Sequence, residues 1–157
     1  MNTIDQTTLA NMTINMLERT AMVLAEPAEP GADLPRATRF ALVDYCGPSR
    51  GTLLLSATDG FLRELAASLL GVETSDVDVE THGSDALKEM ANIVGGSMIL
   101  ALSGDVCHYS LGLPRLLGDQ DVPLRDAGAA TSVECTVVAE GSPLRVLWQD
   151  VRTAKAA

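Results

Sequence analysis

The most regular pattern of apolar and polar positions lies between residues 84 and 102 and predicts an amphipathic helix. At about 100° per residue, its polar residues fall on one side and its apolar residues on the other. The apolar side consists of Ala86, Leu87, Met90, Ala91, Ile93, Val94 and Met98. Ser84 is the predicted N-cap, and Asp85 follows in the first turn, where the helix dipole favours a negative charge. We therefore expect a broad buried face and a narrow exposed strip.

The exposed strip of this helix has five members: Asp85, Lys88, Glu89, Asn92 and Gly96. Glu89 and Asn92 are one helical turn apart, so their side chains lie next to each other and can act on one object. Gly95 and Gly96 follow one turn later, although a glycine inside a helix costs about 1 kcal/mol relative to alanine. The pair indicates that something approaches the bare backbone closely, either a packed element or a partner protein. The alternative is a solvated helix whose glycines fit a crowded core.

The remaining pattern predicts two more helices and five strands. The helices are residues 5–25 and a segment that is capped by Asp59 and stopped by Gly71. The predicted strands are Arg39–Cys46, Thr52–Thr58, Val106–Leu113, Thr131–Val138 and Leu144–Val151. Turn-forming residues at 47–51 and 141–143 join four of these strands into two antiparallel hairpins. The order α-β-β-α-α-β-β-β predicts an α+β fold, with helices packed on a largely antiparallel sheet.

The chain length predicts one domain that spans residues 1–157. A Pro- and acid-rich stretch is expected to form a loop at 27–37, and residues 152–157 are expected to be a disordered tail. The run Leu53–Leu55 predicts a strand that is buried on both faces. Trp148 is expected to pack its ring against a helix or a partner sheet.

Composition excludes several classes of protein. Apolar residues make up 46% and charged residues 20% of the chain, which is typical of a globular domain. A net charge of −10 argues against nucleic acid or an anionic membrane as a partner. No apolar run has the roughly 18 residues of a membrane helix, and the N-terminus lacks the features of a signal peptide. Cys46, Cys107 and Cys135 are far apart in apolar segments, which predicts buried, reduced thiols in a cytoplasmic protein.

The chemistry of the chain depends on Glu89 and Asn92, because the common catalytic signatures are missing from the sequence. The amide of Asn92 does not titrate, but it can accept from and donate to a water molecule and so orient it. Phosphoryl transfer depends on such positioning more than on proton abstraction. A glutamate beside the amide could pair with a lysine on the molecule that carries the phosphoryl group. These residues indicate hydrolysis of an activated phosphate that is held by another protein.

The helix also resembles a known motif. Residues 85–95, DALKEMANIVG, look like the [DS]-x3-E-x2-N helix of the CheC/CheX/FliY chemotaxis phosphatases. Residues 111–114, LGLP, end in Pro114, which resembles the proline that ends a strand downstream of this helix in that family. The N-terminal helix, the strand led by Gly51 and the helix up to Gly71 fit the family's order of elements. A single E-x-x-N helix makes the chain more similar to CheX than to CheC.

This resemblance implies that the substrate is the aspartyl phosphate of a CheY-like receiver domain. Asn92 would orient the attacking water, and Glu89 would pair with the receiver's active-site lysine. Lys88 adds a positive charge within reach of Glu89, which could weaken that pairing. The Mg²⁺ ion would belong to the receiver, so the chain would bring no metal or cofactor of its own. CheX-like members resemble homodimers, which would present two copies of the motif.

The candidate interface with the receiver consists of Asp85, Lys88, Gly95 and Gly96. The main alternative to a phosphatase is a non-catalytic module of the same fold that binds the receiver or acts as a scaffold. A second alternative is a structural component of a flagellar switch, which would bind its partner whether or not the partner is phosphorylated. An enzyme that acts on an unrelated small molecule is disfavoured, because no cluster of titratable groups converges in the sequence.

Overall fold

The computed structural model of the protein describes residues 4–104, 108–122, 129 and 131–151. Its helices are α1 (Gln6–Ala21), α2 (Asp59–Leu70) and α3 (Ser84–Ser103). Its strands are β1 (Glu26–Pro27), β2 (Arg39–Cys46), β3 (Arg50–Ala57), β4 (Ser110–Leu111), β5 (Arg115–Leu117), β6 (Thr131–Ala139) and β7 (Ser142–Val151). The predicted α+β fold is confirmed, with three helices packed on one antiparallel sheet.

The sheet has the order β1-β6-β7-β3-β2, and both β4 and β5 pair with the outer edge of β2. The register shifts by one residue between these two short strands, because Tyr45 faces Leu111 whereas Leu42 faces Arg115. The extra residue forms a bulge at residues 112–114. Pro114 therefore separates β4 from β5, and the prediction that it ends a single strand is wrong. The start of that predicted strand, 106–107, lies outside the described residues.

Alternation along the strands determines which side of the sheet the helices cover. Val43, Leu55 and Val146 point to the helical side and belong to the main core. The opposite side carries a smaller cluster of four buried residues: Phe40, Leu42, Leu54 and Leu147. Leu53, Leu54 and Leu55 are all buried, so the prediction of a strand covered on both faces is confirmed.

Trp148 lies in the main core, between the helices and the sheet. Its indole Nε1 donates a hydrogen bond to Tyr45 Oη at 2.7 Å, and Tyr45 Oη donates to Asp150 Oδ2 at 2.5 Å. Ser49 Oγ donates to the same carboxylate oxygen at 2.7 Å. Burial, assisted by the hydrogen bond to Asp150, raises the pKa of Tyr45 far above its ordinary value, so the phenol keeps its proton. This network connects β2, the β2–β3 turn and β7.

The first helix ends earlier than the sequence predicts. Met22 adopts a left-handed conformation (φ 54°, ψ 29°) and caps α1 after Ala21. Glu26 and Pro27, which directly follow the predicted helix, form β1 and pair with β6. The predicted loop 27–37 therefore begins inside a short strand, and residues 28–38 contain no helix or strand.

The second helix has a different N-cap from the predicted one. The Thr58 side chain accepts a hydrogen bond from the Phe61 N–H at 3.1 Å, whereas Asp59 lies in the first turn of α2. The prediction of Asp59 as the cap is thus wrong by one residue. Thr58 and Asp59 are adjacent and both have side chains that can cap a helix, so the sequence does not distinguish them. Gly71 ends α2 with φ 68°, as predicted.

The cysteines differ in their exposure. Cys46 is exposed, with its Sγ 3.2 Å from Ser110 Oγ, so the prediction that this thiol is buried is wrong. Cys135 is buried, and burial raises the pKa of its thiol to about 11. Cys107 and the predicted tail 152–157 lie outside the described residues. None of the described helices is long and apolar enough to cross a bilayer.

Candidate functional site

Helix α3 is the element that carries the candidate site, and its buried face holds it firmly on the sheet. It packs against β2, β3, α1 and α2. The buried side chains of this face include six of the seven predicted apolar positions: Ala86, Leu87, Met90, Ala91, Val94 and Met98. Ile93 is only half-buried. A helix with so large an apolar face is fixed in rotation, so the direction of its exposed side chains is also fixed.

The start of α3 differs from the sequence prediction. The helix continues directly from a π-helical turn, Val79–Gly83, and Ser84 is buried with right-handed helical dihedrals (φ −63°, ψ −43°). Ser84 is therefore not the N-cap, because an N-cap residue has non-helical dihedrals. Asp78 has that role for the preceding turn, since its side chain accepts a hydrogen bond from the Glu80 N–H at 3.0 Å.

A cluster of charged residues attaches this turn to the rest of the fold. Arg39, the first residue of β2, donates from Nε to Asp59 Oδ1 at 3.2 Å and from Nη2 to Glu80 Oε1 at 3.0 Å. It thereby joins the beginning of β2, the beginning of α2 and the turn that leads into α3. Gly83 fits closely here, because a Cβ at this position would lie 3.2 Å from Leu62 Cβ. These contacts set where α3 begins.

The two adjacent glycines of α3 have different surroundings. A Cβ on Gly95 would lie 3.1 Å from Leu111 Cδ1 and 3.3 Å from Val43 Cγ1, so this glycine lets β4 and β2 approach the helix. Gly95 is buried, and of the two explanations given for it, the packed element is the one that applies. Its position does not support a role in an external interface. A Cβ on Gly96, in contrast, would meet no atom within 4 Å, so this glycine faces open space.

Glu89 and Asn92 are both exposed, one turn apart, on the side of α3 that faces away from the core. Within the described part of the chain, neither side chain has a hydrogen bond or an ion pair. Lys88 Nζ lies 3.6 Å from Asp85 Oδ1. Among the described residues, this lysine therefore forms its ion pair with Asp85 and not with Glu89. The carboxylate and the amide are thus free to engage another molecule together.

A single ridge on α3 consists of the exposed residues Asp85, Glu89, Asn92 and Leu100 and the half-buried Gly96. Steps of three or four residues place them along one side of the helix. The exposed strip that the sequence predicts does not include Leu100. The signal was present, since a leucine four residues after Gly96 lies on the same side of the helix. Among the described residues no group of three or more His, Cys, Asp or Glu side chains could hold a metal ion. The ridge can therefore orient another molecule through the carboxylate of Glu89 and the amide of Asn92.

Comparison with known protein families agrees with this arrangement. The family model described as "Chemotaxis phosphatase CheX" matches residues 39–137, which is more than half of the chain. The chain belongs to the CheX chemotaxis phosphatase family. The matched residues run from the first residue of β2 into β6 and contain all of α3. No curated protein matches the sequence.

Solved structures of CheX proteins share the fold. CheX from Vibrio vulnificus superposes with a TM-score of 0.72 at 16% identity, covering 90% of this chain and 93% of that one. CheX from Desulfovibrio desulfuricans gives a TM-score of 0.70 at 17% identity, with 89% and 94% covered. A complex of CheX, CheY, BeF₃ and Mg²⁺ from Borrelia burgdorferi contains a chain with a TM-score of 0.68 at 15% identity, with 95% and 99% covered. At these identities the likeness shows the fold alone.

Proposed function

We propose that this CheX-family protein accelerates hydrolysis of the aspartyl phosphate on a CheY-like receiver domain in the cytoplasm. The observation that carries the proposal is the pair Glu89 and Asn92, exposed and adjacent on a helix whose rotation is fixed by its core contacts. The family supplies the reaction class, and the Borrelia burgdorferi CheX was crystallised with CheY, which supports a receiver as the partner. The ridge supplies groups suited to that reaction.

Asn92 is proposed to orient the attacking water. Its amide can accept one hydrogen bond from the water and donate another to a phosphoryl oxygen. The water attacks phosphorus, the bond between phosphorus and the aspartate oxygen breaks, and inorganic phosphate and the free carboxylate are released. The transition state of this reaction is loose, so placing the water in line contributes more than abstracting its proton. An amide that does not titrate is sufficient for that role.

Glu89 is proposed to pair with a lysine in the receiver's active site. The pairing of Lys88 with Asp85 supports this role, because the lysine on the same helix is already partnered. The Mg²⁺ ion is proposed to be held by the receiver, so this chain contributes no ligand to it. Asp85, Lys88 and Gly96 are proposed as contacts around the catalytic pair, since all three lie beside it on the helix.

Glu89→Gln is expected to lower kcat/KM for a phosphorylated receiver by about tenfold, mostly through KM, because a neutral amide forms no ion pair with a lysine. The difference between wild type and variant should shrink as salt concentration rises. Steady-state phosphate release at two ionic strengths measures both effects. Glu18→Gln, an exposed glutamate of α1, is the matched control. Unchanged KM and kcat in Glu89→Gln would remove this residue from the mechanism.

A homodimer is also part of the proposal, so that each particle would present two copies of the ridge. Sedimentation equilibrium at micromolar concentration is expected to give twice the chain mass of 16.5 kDa. The mass of a single chain at that concentration would disprove the dimer and leave the catalytic proposal untouched.

The decisive experiment measures phosphate release from a panel of receivers phosphorylated by a small-molecule donor, with and without the protein. Acceleration of release from one receiver is the expected result, and it identifies the substrate. Binding to a phosphorylated receiver without acceleration would instead establish a non-catalytic module. Binding that does not depend on phosphorylation would indicate a structural component of a switch.

A further inference from the structure

The proposed catalytic pair accounts for only part of the exposed surface around α3. Leu100 continues the ridge beyond Gly96 and is 61% exposed. It lies about 12 Å from Asn92 along the helix axis, at 1.5 Å per residue. Gly96, between the two, presents bare backbone with open space above it. The end of the ridge is therefore apolar, with a notch between the amide and the leucine.

A second exposed leucine lies beside the ridge, on the edge of the sheet. Leu116 of β5 pairs with Ala41 of β2 and is 44% exposed. Paired residues of antiparallel strands point to the same face, and Ala41 belongs to the core beneath the helices. Leu116 therefore points to the helical side of the sheet, where β5 contacts α3. Apolar side chains thus lie at the end of the ridge and along one of its sides.

We propose that Leu100 and Leu116 are the apolar docking contacts for the phosphorylated receiver. This inference rests on the proposed function, because it takes the receiver as the occupant of the surface that is continuous with Glu89 and Asn92. The polar members of the ridge are exposed, and exposed ion pairs such as Asp85–Lys88 add little affinity. In specific interfaces a few fully buried contacts carry most of the binding energy, and the contacts around them exclude water.

A single globular partner could contact Asn92 and both leucines at once. A typical protein interface buries about 800 Å² on each partner, which is a patch roughly 30 Å across. One globular domain centred on Asn92 would therefore cover both leucines. Docking of this kind would bring Glu89 into a region of lower dielectric constant, where its attraction to a lysine is stronger. Leu100 and Leu116 would then influence binding, while Asn92 alone would influence the chemical step.

The test compares Leu100→Gln and Leu116→Thr with wild type, since both replacements suit their secondary structure and remove apolar character. Leu70→Gln is the control, because Leu70 is a leucine of similar exposure (53%) that is not on the ridge. It lies at the end of α2, near the end of α1, where Ser68 Oγ donates a hydrogen bond to Ala21 O. Each variant is titrated with the receiver loaded with beryllofluoride and Mg²⁺, and its kcat and KM for the phosphorylated receiver are measured.

Both Leu100→Gln and Leu116→Thr are expected to weaken binding and raise KM by at least about tenfold with kcat unchanged, whereas Leu70→Gln matches wild type. Wild-type Kd and KM in both leucine variants, Leu100→Gln and Leu116→Thr, would overturn the inference while leaving the phosphatase in place. If these variants instead dissociate a dimer and keep wild-type KM, the surface joins two copies of the chain and the inference is again wrong. Wild type that binds but does not accelerate release would overturn the proposed function alone, because Kd still tests the docking contacts. Wild type that neither binds nor accelerates would overturn both.

Discussion

Asn92→Ala is expected to reduce the protein's acceleration of receiver dephosphorylation by about 100-fold or more, because loss of correct positioning in such reactions costs at least that much. The substitution removes only an exposed side chain that has no partner among the described residues. It leaves the buried face of α3 unchanged, and alanine is a better helix former than asparagine. The variant should therefore fold and bind the receiver as wild type does. Single-turnover phosphate release, at saturating protein, measures the chemical step directly.

The matched control is Asn11→Ala, which replaces an exposed asparagine of α1 and should retain wild-type activity. Retained acceleration in Asn92→Ala would show that water is not positioned by this amide. A lower unfolding temperature in Asn92→Ala than in wild type would show that Asn92 has a structural role. Loss of acceleration together with intact folding and binding is the only combination that supports the proposed mechanism.

Gly51→Ala is expected to destabilise the fold by about 3 kcal/mol or more, since overpacking against backbone cannot be relieved by a change of rotamer. A Cβ at Gly51 would lie 2.2 Å from the backbone oxygen of Gln149 and 2.3 Å from Tyr45 Oη. Both neighbours are held in place, the first by the pairing of β3 with β7 and the second by the hydrogen bonds to Trp148 and Asp150. The variant must therefore disturb either the sheet or the buried network. Urea unfolding measures the change.

Gly96→Ala is the control for this substitution, because a Cβ there meets no atom within 4 Å. In a helix, alanine should stabilise the fold by up to about 1 kcal/mol relative to glycine. A wild-type unfolding midpoint for Gly51→Ala would contradict this prediction, because it would mean that β3 and β7 can move apart to admit the methyl group without loss of stability. Gly96→Ala also probes the receiver interface, since a higher KM without a loss of stability would place this glycine in the contact.

Sequence periodicity predicted α3 and the exposure of Asp85, Glu89 and Asn92, because 3.6-residue spacing over twenty positions leaves little freedom in which side faces the core. The predictions failed at element ends. The side chain of Ser84 is suited to an N-cap, but the preceding turn is already helical, so no break exists there for a cap. At Thr58 and Asp59 two residues with the same capping chemistry compete, and local sequence does not choose between them.

Sequence also did not determine the pairing of short segments. Glu26 and Pro27 have no strand pattern of their own, and they form β1 because the edge of β6 lies beside them. The split of β4 from β5 depends on the register with β2, which shifts by one residue around Pro114. Two- and three-residue strands depend on their neighbours for stability, so propensity alone does not predict them.

The sequence by itself determined the α+β fold, the amphipathic helix α3 and the exposed pair Glu89 and Asn92, since these follow from local periodicity and from a short motif on one helix. Only the tertiary structure decided that Gly95 is a packing residue whereas Gly96 is open, because the difference depends on where Leu111 and Val43 lie. Only the tertiary structure placed Leu116 beside the ridge, through its pairing with Ala41. Both depend on contacts between residues far apart in the chain, which no local pattern encodes.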